Sequence, residues 1–443
     1  MSRLFGTDGI RGRAGKFPLD RHSMWSTGCA LALWVKERHE NSEVVIGVDT
    51  RESGQWIAEH LAGGLKAQQV PFRFAGLIST PGLAHATRVG PFAAGVMISA
   101  SHNPYHDNGI KIIDHSGFKL ADDQEDLIAT DIEVMNHCGL PCYAMPVTVD
   151  EGLDREYIEY LAGTMTQSLK GLRVVVDGAN GSASKLGPEL FRRLGADVIT
   201  FACEPDGQNI NLNCGSLHLE GLQERVRGAN ADLGVAFDGD ADRALFVSKT
   251  GKIIDGDAVL FLSALPLKKT GKLKEVVATV MSNLGLERAL AKHGIGLIRT
   301  SVGDRYVIQE MLKRDAPLGG EQSGHIIYRD YSTTGDGMLT ALRVMNQMQE
   351  SGATLDDLTA EVVKYPQILV NVKVKNKRPI EDLERANKEI RHAEAEFGEA
   401  GRILVRFSGT EPLARVMVEG PEQKRVEHFA HSIANAIKAE LGE

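Results

Sequence analysis

Three stretches of the chain repeat one order of positions: a continuous β-branched apolar run, a short polar turn, then a helix-like stretch. They begin VVIGVDTRESG at Val44, RVVVDGANGSA at Arg173 and VVATVMSNLG at Val276. Apolar runs without alternation do not suit a strand with one wet face. They predict strands buried on both faces, as in a parallel sheet covered by helices. The chain therefore predicts three related α/β units, at domain-sized intervals too long for a solenoid repeat. From Ile368 the pattern changes. ILVNVKV at Ile368 and ILVRF at Ile403 read as strands, while Leu383, Ala386, Ile390, Ala393 and Phe397 recur at helical spacing. Val426, Phe429, Ala430, Ile433, Ile437 and Leu441 mark a final helix, so the last unit is a smaller α+β domain. The expected division is 1–155, 156–255, 256–368 and 369–443.

Composition narrows the classes. The chain has 443 residues, 42% hydrophobic and 25% charged, with a net charge of −9. At roughly 150 residues per domain this is several cores of an ordinary globular protein. A net acidic surface argues against nucleic acid or an anionic membrane as partner, while leaving room for local basic pockets that hold a phosphate. The first residues, MSRLFGTDGIRGR, are charged from Arg3 onward and lack a signal peptide's apolar stretch. No apolar run approaches the roughly 18 residues of a membrane span. A cytoplasmic protein is expected. Cys29, Cys138, Cys142, Cys203 and Cys214 contain no C-x-x-C pair, so neither a disulfide framework nor a Cys-rich zinc site is predicted.

Four stretches carry chemistry. From Ala93 to Lys111 the chain reads AAGVMISASHNPYHDNGIK. Its apolar start predicts a strand ending near Ser99. That places Ser101 and His102 in a loop at the carboxyl end of a parallel strand, where open α/β sheets hold ligands. A serine hydroxyl needs a base or a metal to act as a nucleophile; read alone, the stretch equally fits a polar loop with a capping serine. The second stretch, FDGDADR from Phe237, sets Asp238, Asp240 and Asp242 at alternating positions between two strand-like runs. Three carboxylates this close repel each other unless a cation neutralises them, and all-oxygen ligation points to Mg²⁺, Mn²⁺ or Ca²⁺. An EF-hand is excluded, because the sixth and twelfth positions are Arg243 and Lys249 where it needs glycine and glutamate. The bland alternative is a solvated acidic turn.

The third stretch, RFSGTEPLAR from Arg406, offers Ser408, Gly409 and Thr410 as donors, with Arg406 and Arg415 as forked charges. This is a phosphate clamp or a tight Gly turn with surface arginines. The fourth, GGEQSGH from Gly319, gathers a carboxylate, an amide, a hydroxyl and an imidazole of the kind that read sugar hydroxyls.

Together these stretches resemble the phosphohexose mutases, and within them the glucosamine branch found in bacteria. FGTDGIRG from Phe5, ISASHNPYHDNGIK from Ile98, FDGDADR, TSVGDRYV from Thr300, GGEQSGH, TTGDG from Thr333 and RFSGTEP match in order across nearly the whole chain. The resemblance implies four domains around a central cleft. It also implies a reaction: glucosamine 6-phosphate and glucosamine 1-phosphate interconvert through phosphoserine and a bisphosphate sugar, supplying amino sugar for cell-wall precursors. Ser101 is then the phosphorylated serine, and Asp238, Asp240 and Asp242 bind one Mg²⁺ together with it. Arg11 and Lys111 lie near the transferring phosphoryl group, Lys111 as general acid or base, and His102, beside the serine, is counted with them among the catalytic residues. Arg243, Glu321 and Ser323 contact the sugar, His325 accepts a proton, and Arg406, Ser408, Gly409, Thr410 and Arg415 bind phosphate.

Glucosamine or glucose 1,6-bisphosphate is the implied activator, a phosphosugar the partner, and a homodimer is compatible. Gln322 and TTGDG favour the glucosamine branch. Two departures stand out: Ser301 where relatives commonly have lysine, and Ala241 for a frequent glycine in the metal loop. A phosphomannomutase or phosphoglucomutase is the alternative within the class, and a non-catalytic sugar-phosphate-binding protein the alternative outside it.

Overall fold

The protein is described by a computed structural model covering residues 4–6, 8–39, 42–408 and 412–442. Gly409 and Thr410 lie outside the described residues. Contacts divide the chain into two compact units, Met1–Val280 with Leu297–Thr359, and Met281–Gly296 with Ala360–Glu443.

Three sheets carry one plan. The first has strands β1 (Ile10–Arg13), β2 (Glu43–Val48), β3 (Phe72–Leu77), β4 (Phe92–Ile98) and β5 (Asp107–Asp114) in the order β1-β5-β4-β2-β3. β2 runs parallel to β3 and β4, whereas β5 returns antiparallel beside β4. The second has β6 (Arg173–Asp177), β7 (Asp197–Phe201), β8 (Leu233–Phe237), β9 (Ala244–Ser248) and β10 (Ile253–Ile254) in the order β10-β9-β8-β6-β7. Again β6 is parallel to β7 and β8, and β9 returns antiparallel beside β8. The third has β11 (Glu275–Thr279), β12 (Gly296–Thr300), β13 (Leu318–Gly320) and β14 (Ile326–Tyr328) in the order β12-β11-β13-β14, with β13 parallel to β11 and β14 antiparallel to β13.

The three predicted apolar runs are β2, β6 and β11, and their interior positions are buried as continuous apolar strands require. The helices Arg21–Arg38 and Ser53–Ala67 contribute Leu31, Val35, Ile57 and Leu61 to the core that covers the first sheet. Three α/β units with mixed sheets are thus present. The C-terminal unit holds β15 (Gln367–Lys373), β16 (Arg402–Phe407) and β17 (Leu413–Glu419), all antiparallel, in the order β15-β17-β16. The predicted helices Glu384–Phe397 and Gln423–Leu441 share a core with them through Ala393, Phe397, Val416, Phe429 and Ile433. In that unit the short helix Leu284–Lys292 is anchored by Glu419, whose buried carboxylate accepts the Leu284 N–H at 2.6 Å and pairs with Arg402.

All five cysteines are free thiols. Among the described residues no helix is long and apolar enough to cross a membrane.

The repeated plan puts an aspartate at the carboxyl end of two equivalent strands: Asp49 after β2 and Asp177 closing β6. The Asp177 carboxylate accepts the Ala179 N–H at 2.9 Å and the Gly215 N–H at 2.8 Å, which ties two loops to the strand end. Burial pushes its pKa up to about 7 against those two hydrogen bonds. Its folded-state pKa therefore lies above the value near 3.9 of an unfolded aspartate. The folded state binds the extra proton within that window, so this group's contribution to stability declines as pH rises through it and is level above about 7. Asp177→Asn should remove the slope. Urea midpoints from pH 4.5 to 8 should show the variant gaining on wild type as pH rises; a constant offset would mean Asp177 does not titrate in that window.

Candidate active site

The strand expected to end near Ser99 ends at Ile98, and Ser101 sits in the β4–β5 turn with a left-handed φ of 50°. That conformation is costly for a residue with a side chain, so it needs holding in place. Its N–H donates to Ser99 Oγ at 2.9 Å, and its carbonyl accepts from Arg51 Nη2 at 3.1 Å and Asn211 Nδ2 at 2.9 Å. The same two donors reach the Asn103 carbonyl at 2.6 and 3.1 Å. Beneath the turn Arg51 and Asp49 form a fully buried ion pair, and Ser99 Oγ donates to Asp49 at 2.6 Å. The result aims Ser101 Oγ at the second sheet, where it donates to Asp238 Oδ2 at 2.6 Å.

Asp238, Asp240 and Asp242 occupy the β8–β9 turn, all buried, with ligand oxygens within 4.8 Å of one another. Burial raises the Asp238 pKa well above its ordinary value, and the charges of Asp242 and Asp240 raise it further. Thr80 Oγ1, at the start of the helix Thr80–Val89, donates to Asp240 Oδ2 at 2.5 Å. Asp240 Oδ1 and Asp242 Oδ1 are buried with no hydrogen-bond partner. Buried carboxylate oxygens without donors are what a hard divalent cation requires, so the residues present fit Mg²⁺. Ala241 holds the turn at a φ of 57°, so the methyl that replaces a glycine is not neutral. It sits in a conformation costing an L-residue about 1 kcal/mol.

Lys111, on β5, is 2% exposed. Its ammonium lies 2.8 Å from Asp240, 3.3 Å from Asp8 and 3.6 Å from Asp242. Burial works against its charge, but those three carboxylates outweigh burial and raise its pKa, so it is held as the ammonium. Arg11, on β1, pairs with Asp8 and donates to the Asp8 carbonyl through Nε at 3.2 Å. Arg243 Nη1 and Ser101 Oγ each lie 3.3 Å from His102 Nδ1, and burial, followed by Arg243, lowers the imidazole pKa.

The β13–β14 turn carries Glu321, Ser323 and His325. Glu321 accepts the Gly303 N–H at 3.1 Å, and Ser323 Oγ is 3.4 Å from its other oxygen. Gln322 turns away, its amide 3.3 Å from Asp255. His325 is buried between Asp242, 3.6 Å from Nδ1, and Asp304, 3.8 Å from Nε2. Gly335 N–H donates to Nε2 at 3.0 Å, which leaves the ring proton on Nδ1, facing Asp242. Ser301, one of the departures, is exposed.

In the C-terminal unit Arg406 and Arg415 are directly opposed across β16 and β17, and the Ser408 carbonyl accepts from Lys377 at 2.6 Å. Burial and then the charge of Arg415 lower the Arg406 pKa. Like charges directly opposed across a strand pair are destabilising.

Sequence reading missed Asp8, Asp49, Arg51, Thr80, Lys119, Asn211 and Asp304 as parts of this site. Asp8 and Asp304 stood inside matched motifs; the others stood in ordinary loops and helix starts.

Comparison with known proteins places this geometry. Models of phosphoglucomutase/phosphomannomutase alpha/beta/alpha domains I, II and III match residues 2–136, 155–251 and 255–365, and that of the C-terminal domain matches 369–436. A phosphoglucosamine mutase of Solibacter usitatus (strain Ellin6076) is 57% identical over 99% of both chains. A crystal structure of a phosphoglucomutase/phosphomannomutase family protein from Burkholderia thailandensis superposes with a TM-score of 0.84 at 24% identity, covering 99% of this chain and 98% of that one. An Aspergillus fumigatus N-acetylphosphoglucosamine mutase, solved with GlcNAc-6P and magnesium, shares the fold with a TM-score of 0.65 at 18% identity, covering 98% of this chain and 95% of that one.

The two donors to the Ser101 carbonyl differ in what their loss leaves behind. Arg51→Met strands the buried Asp49 charge and should cost about 3–5 kcal/mol of stability. Asn211→Ala removes neutral hydrogen bonds and should cost about 1 kcal/mol while lowering turnover roughly tenfold, because Ser101 loses its held conformation. Urea denaturation and turnover of the two variants check this; an Asn211→Ala enzyme as fast as wild type would show that Asn211 does not hold the serine.

Proposed function

The chain belongs to the phosphoglucomutase/phosphomannomutase family, and we propose that it is the isomerase that interconverts glucosamine 6-phosphate and glucosamine 1-phosphate through phospho-Ser101 and glucosamine 1,6-bisphosphate. The observation that carries the reading is the 2.6 Å hydrogen bond from Ser101 Oγ to Asp238 inside a buried carboxylate triad. A serine aimed at a divalent-cation site is arranged for phosphoryl transfer. The four-domain division near residues 155, 255 and 368, action in the cytoplasm and supply of amino sugar to cell-wall precursors belong to the same proposal.

Mg²⁺ held by Asp238, Asp240, Asp242 and Ser101 would supply positive charge beside the transferring phosphoryl group. The chain's residues do the rest. In the first half-reaction the Ser101 Oγ–P bond breaks and a bond from phosphorus to the sugar hydroxyl oxygen forms, while the hydroxyl proton ends on Ser101 Oγ. Lys111, held as the ammonium, is placed in that relay: it gives a proton to the serine oxygen and is refilled from the sugar hydroxyl. Arg11 and Arg243 add fixed charge toward the phosphoryl oxygens. His102, its pKa lowered by burial, stays neutral beside Ser101. Glu321, Ser323 and His325 line the turn that reads the sugar. Arg406, Ser408 and Arg415, with Gly409 and Thr410 of the same motif, bind phosphate. Re-phosphorylation of Ser101 from the other position of the bisphosphate releases the isomer, with glucosamine or glucose 1,6-bisphosphate as the priming compound.

Turnover measured by coupled assay with glucosamine, glucose and mannose phosphates should rank glucosamine first; a higher kcat/KM for mannose or glucose phosphate would move the chain to the neighbouring activity. Intact mass should find a single phosphate on wild type, and Ser101→Ala should fold, lose turnover and lack that phosphate; a fully active variant would end the serine assignment. Chelation should abolish turnover and Mg²⁺ restore it, because the unneutralised triad repels the phosphoserine; full activity in excess chelator would remove the metal from the mechanism.

A further inference from the structure

Six side chains, Lys111 among them, form a closed ring of near neighbours in which Asp8, Asp242 and Asp304 alternate with Lys111, His325 and Lys119. Asp8 Oδ2 lies 3.3 Å from Lys111, Lys111 3.6 Å from Asp242, and Asp242 3.6 Å from His325 Nδ1. His325 Nε2 lies 3.8 Å from Asp304, and Lys119 Nζ lies 2.5 Å from both Asp304 Oδ2 and Asp8 Oδ1, which closes the ring. Four members, Lys111, Lys119, Asp304 and His325, line a single cavity of about 150 Å³. Lys119 stands apart from the rest. It belongs to none of the motifs, it touches no metal ligand, and its two carboxylates come from elements far apart in sequence, the loop before β1 and the helix Asp304–Arg314. Burial works against its charge and the two carboxylates restore it.

The ring makes the carboxylate of Asp8 a shared resource. One oxygen serves Lys119, the other serves Lys111, and Arg11 pairs with the group as well. Lys111 is shared in turn between Asp8 and the metal ligands Asp240 and Asp242. How closely the ammonium of Lys111 sits on those ligands therefore depends on how much of Asp8 is already occupied. We infer that Lys119 is a positioning residue that, by occupying Asp8 and Asp304, keeps Lys111 against Asp240 and Asp242 and so tempers the affinity of the triad for its divalent cation. This rests on the metal reading of the triad given above. It requires no titration and no new chemistry, only competition of three cations for one carboxylate.

The inference has an unusual sign. With Lys119 removed, Asp8 draws Lys111 toward itself, and Asp240 and Asp242 lose part of their compensation. Mg²⁺ should then bind more tightly while turnover falls, because Lys111 leaves the position it needs. Loosening of the fold alone would weaken both. The test is calorimetric titration of Mg²⁺ into the full-length chain, with phosphorylation state matched by intact mass, alongside turnover at saturating Mg²⁺.

Lys119→Met should bind Mg²⁺ roughly tenfold more tightly and turn over roughly ten- to a hundredfold more slowly. Lys119→Arg, which keeps the charge and both carboxylate contacts, should stay near wild type in both. Asp8→Asn should weaken Mg²⁺ binding, and the Lys119→Met/Asp8→Asn pair should be non-additive, since the effect of Lys119 passes through Asp8. Unchanged or weaker Mg²⁺ binding in Lys119→Met, strict additivity of the pair, or equal behaviour of the Met and Arg variants would overturn the inference. Lys119→Gln takes the place of the Met variant if that one does not fold. Absence of Mg²⁺ binding by wild type would instead remove the metal reading, and Mg²⁺ binding without turnover of glucosamine phosphates would remove only the substrate reading.

Discussion

Three carboxylates buried within 4.8 Å of one another are the constraint on which the larger unit depends. An ionised carboxylate taken out of water costs several kcal/mol even after relaxation, and two like neighbours add repulsion. The structure does not avoid this cost; it spreads the compensation over separate elements. Lys111 comes from β5, Arg243 from the turn itself, the Thr80 hydroxyl from a helix start and His325 from the third sheet. Of these only Arg243 comes from the β8–β9 turn's own short sequence. Docking of the three sheets is therefore coupled to electrostatic balance at one place, and oxygens of Asp240 and Asp242 are still left without donors. The remaining deficit is what a bound divalent cation would offset.

Repetition explains how three separate sheets deliver groups to that place. In each sheet one strand has a parallel neighbour on one side and an antiparallel return on the other: β4, β8 and β13. The turn after each of these strands holds chemistry, namely Ser101, the aspartates and the Glu321–His325 segment. Each turn also contains a residue with positive φ, at 50° for Ser101, 57° for Ala241 and 94° for Gly324. A tight reversal at a buried strand end forces that conformation. Only the third turn gives it to glycine; the other two accept strain at residues where a side chain is present, and the surrounding hydrogen bonds over-determine the geometry.

The sheets and these turns were legible because their signals are local. A continuous apolar run, a strand end and a cluster of carboxylates all fall within a few residues, and the repeat then supplies the relation between them. The groups that hold the turns in place were not legible, for a definite reason. Asn211 meets the Ser101 carbonyl from 110 residues away, and Lys119 meets Asp304 across 185. No periodicity or spacing rule links such positions. Arg51 was closer, at 50 residues, and its pairing with Asp49 at a strand end had a faint signal in the repeated apolar-run-then-aspartate pattern at Asp49 and Asp177. The same locality affects Gln322. Read as a mark of sugar preference, it hydrogen-bonds Asp255 beside a helix start, and nothing within its own loop foretells that partner.

TTGDG shows how little of a motif's physical content is visible in its sequence. In the sequence it reads as favouring one branch of the family; in the structure Gly335, Asp336 and Gly337 each hold a neighbouring element in place. A Cβ on Gly335 would stand 2.5 Å from atoms of the His325 ring, and the Gly335 N–H bonds Nε2, so this glycine fixes both the place and the tautomer of the imidazole. A Cβ on Gly337 would meet the Arg243 carbonyl at 2.5 Å, and the Gly337 N–H donates to the Ala241 carbonyl at 3.0 Å, which braces the left-handed residue of the Asp238–Asp242 turn. Between them Asp336 caps the helix Gly337–Ser351 through the Leu339 N–H at 2.9 Å and accepts from Tyr157 at 2.8 Å. Burial pushes the Asp336 carboxyl up to about 6, against the hydrogen bonds that favour its ionised form. The three residues join the imidazole, the Asp238–Asp242 turn and a helix of the third α/β unit within a few ångströms. Substituting either glycine by alanine would displace His325 or the Asp238–Asp242 turn without removing any side chain of the site. The conservative size of the motif is a packing requirement of the catalytic centre, which is why it carries no chemistry of its own.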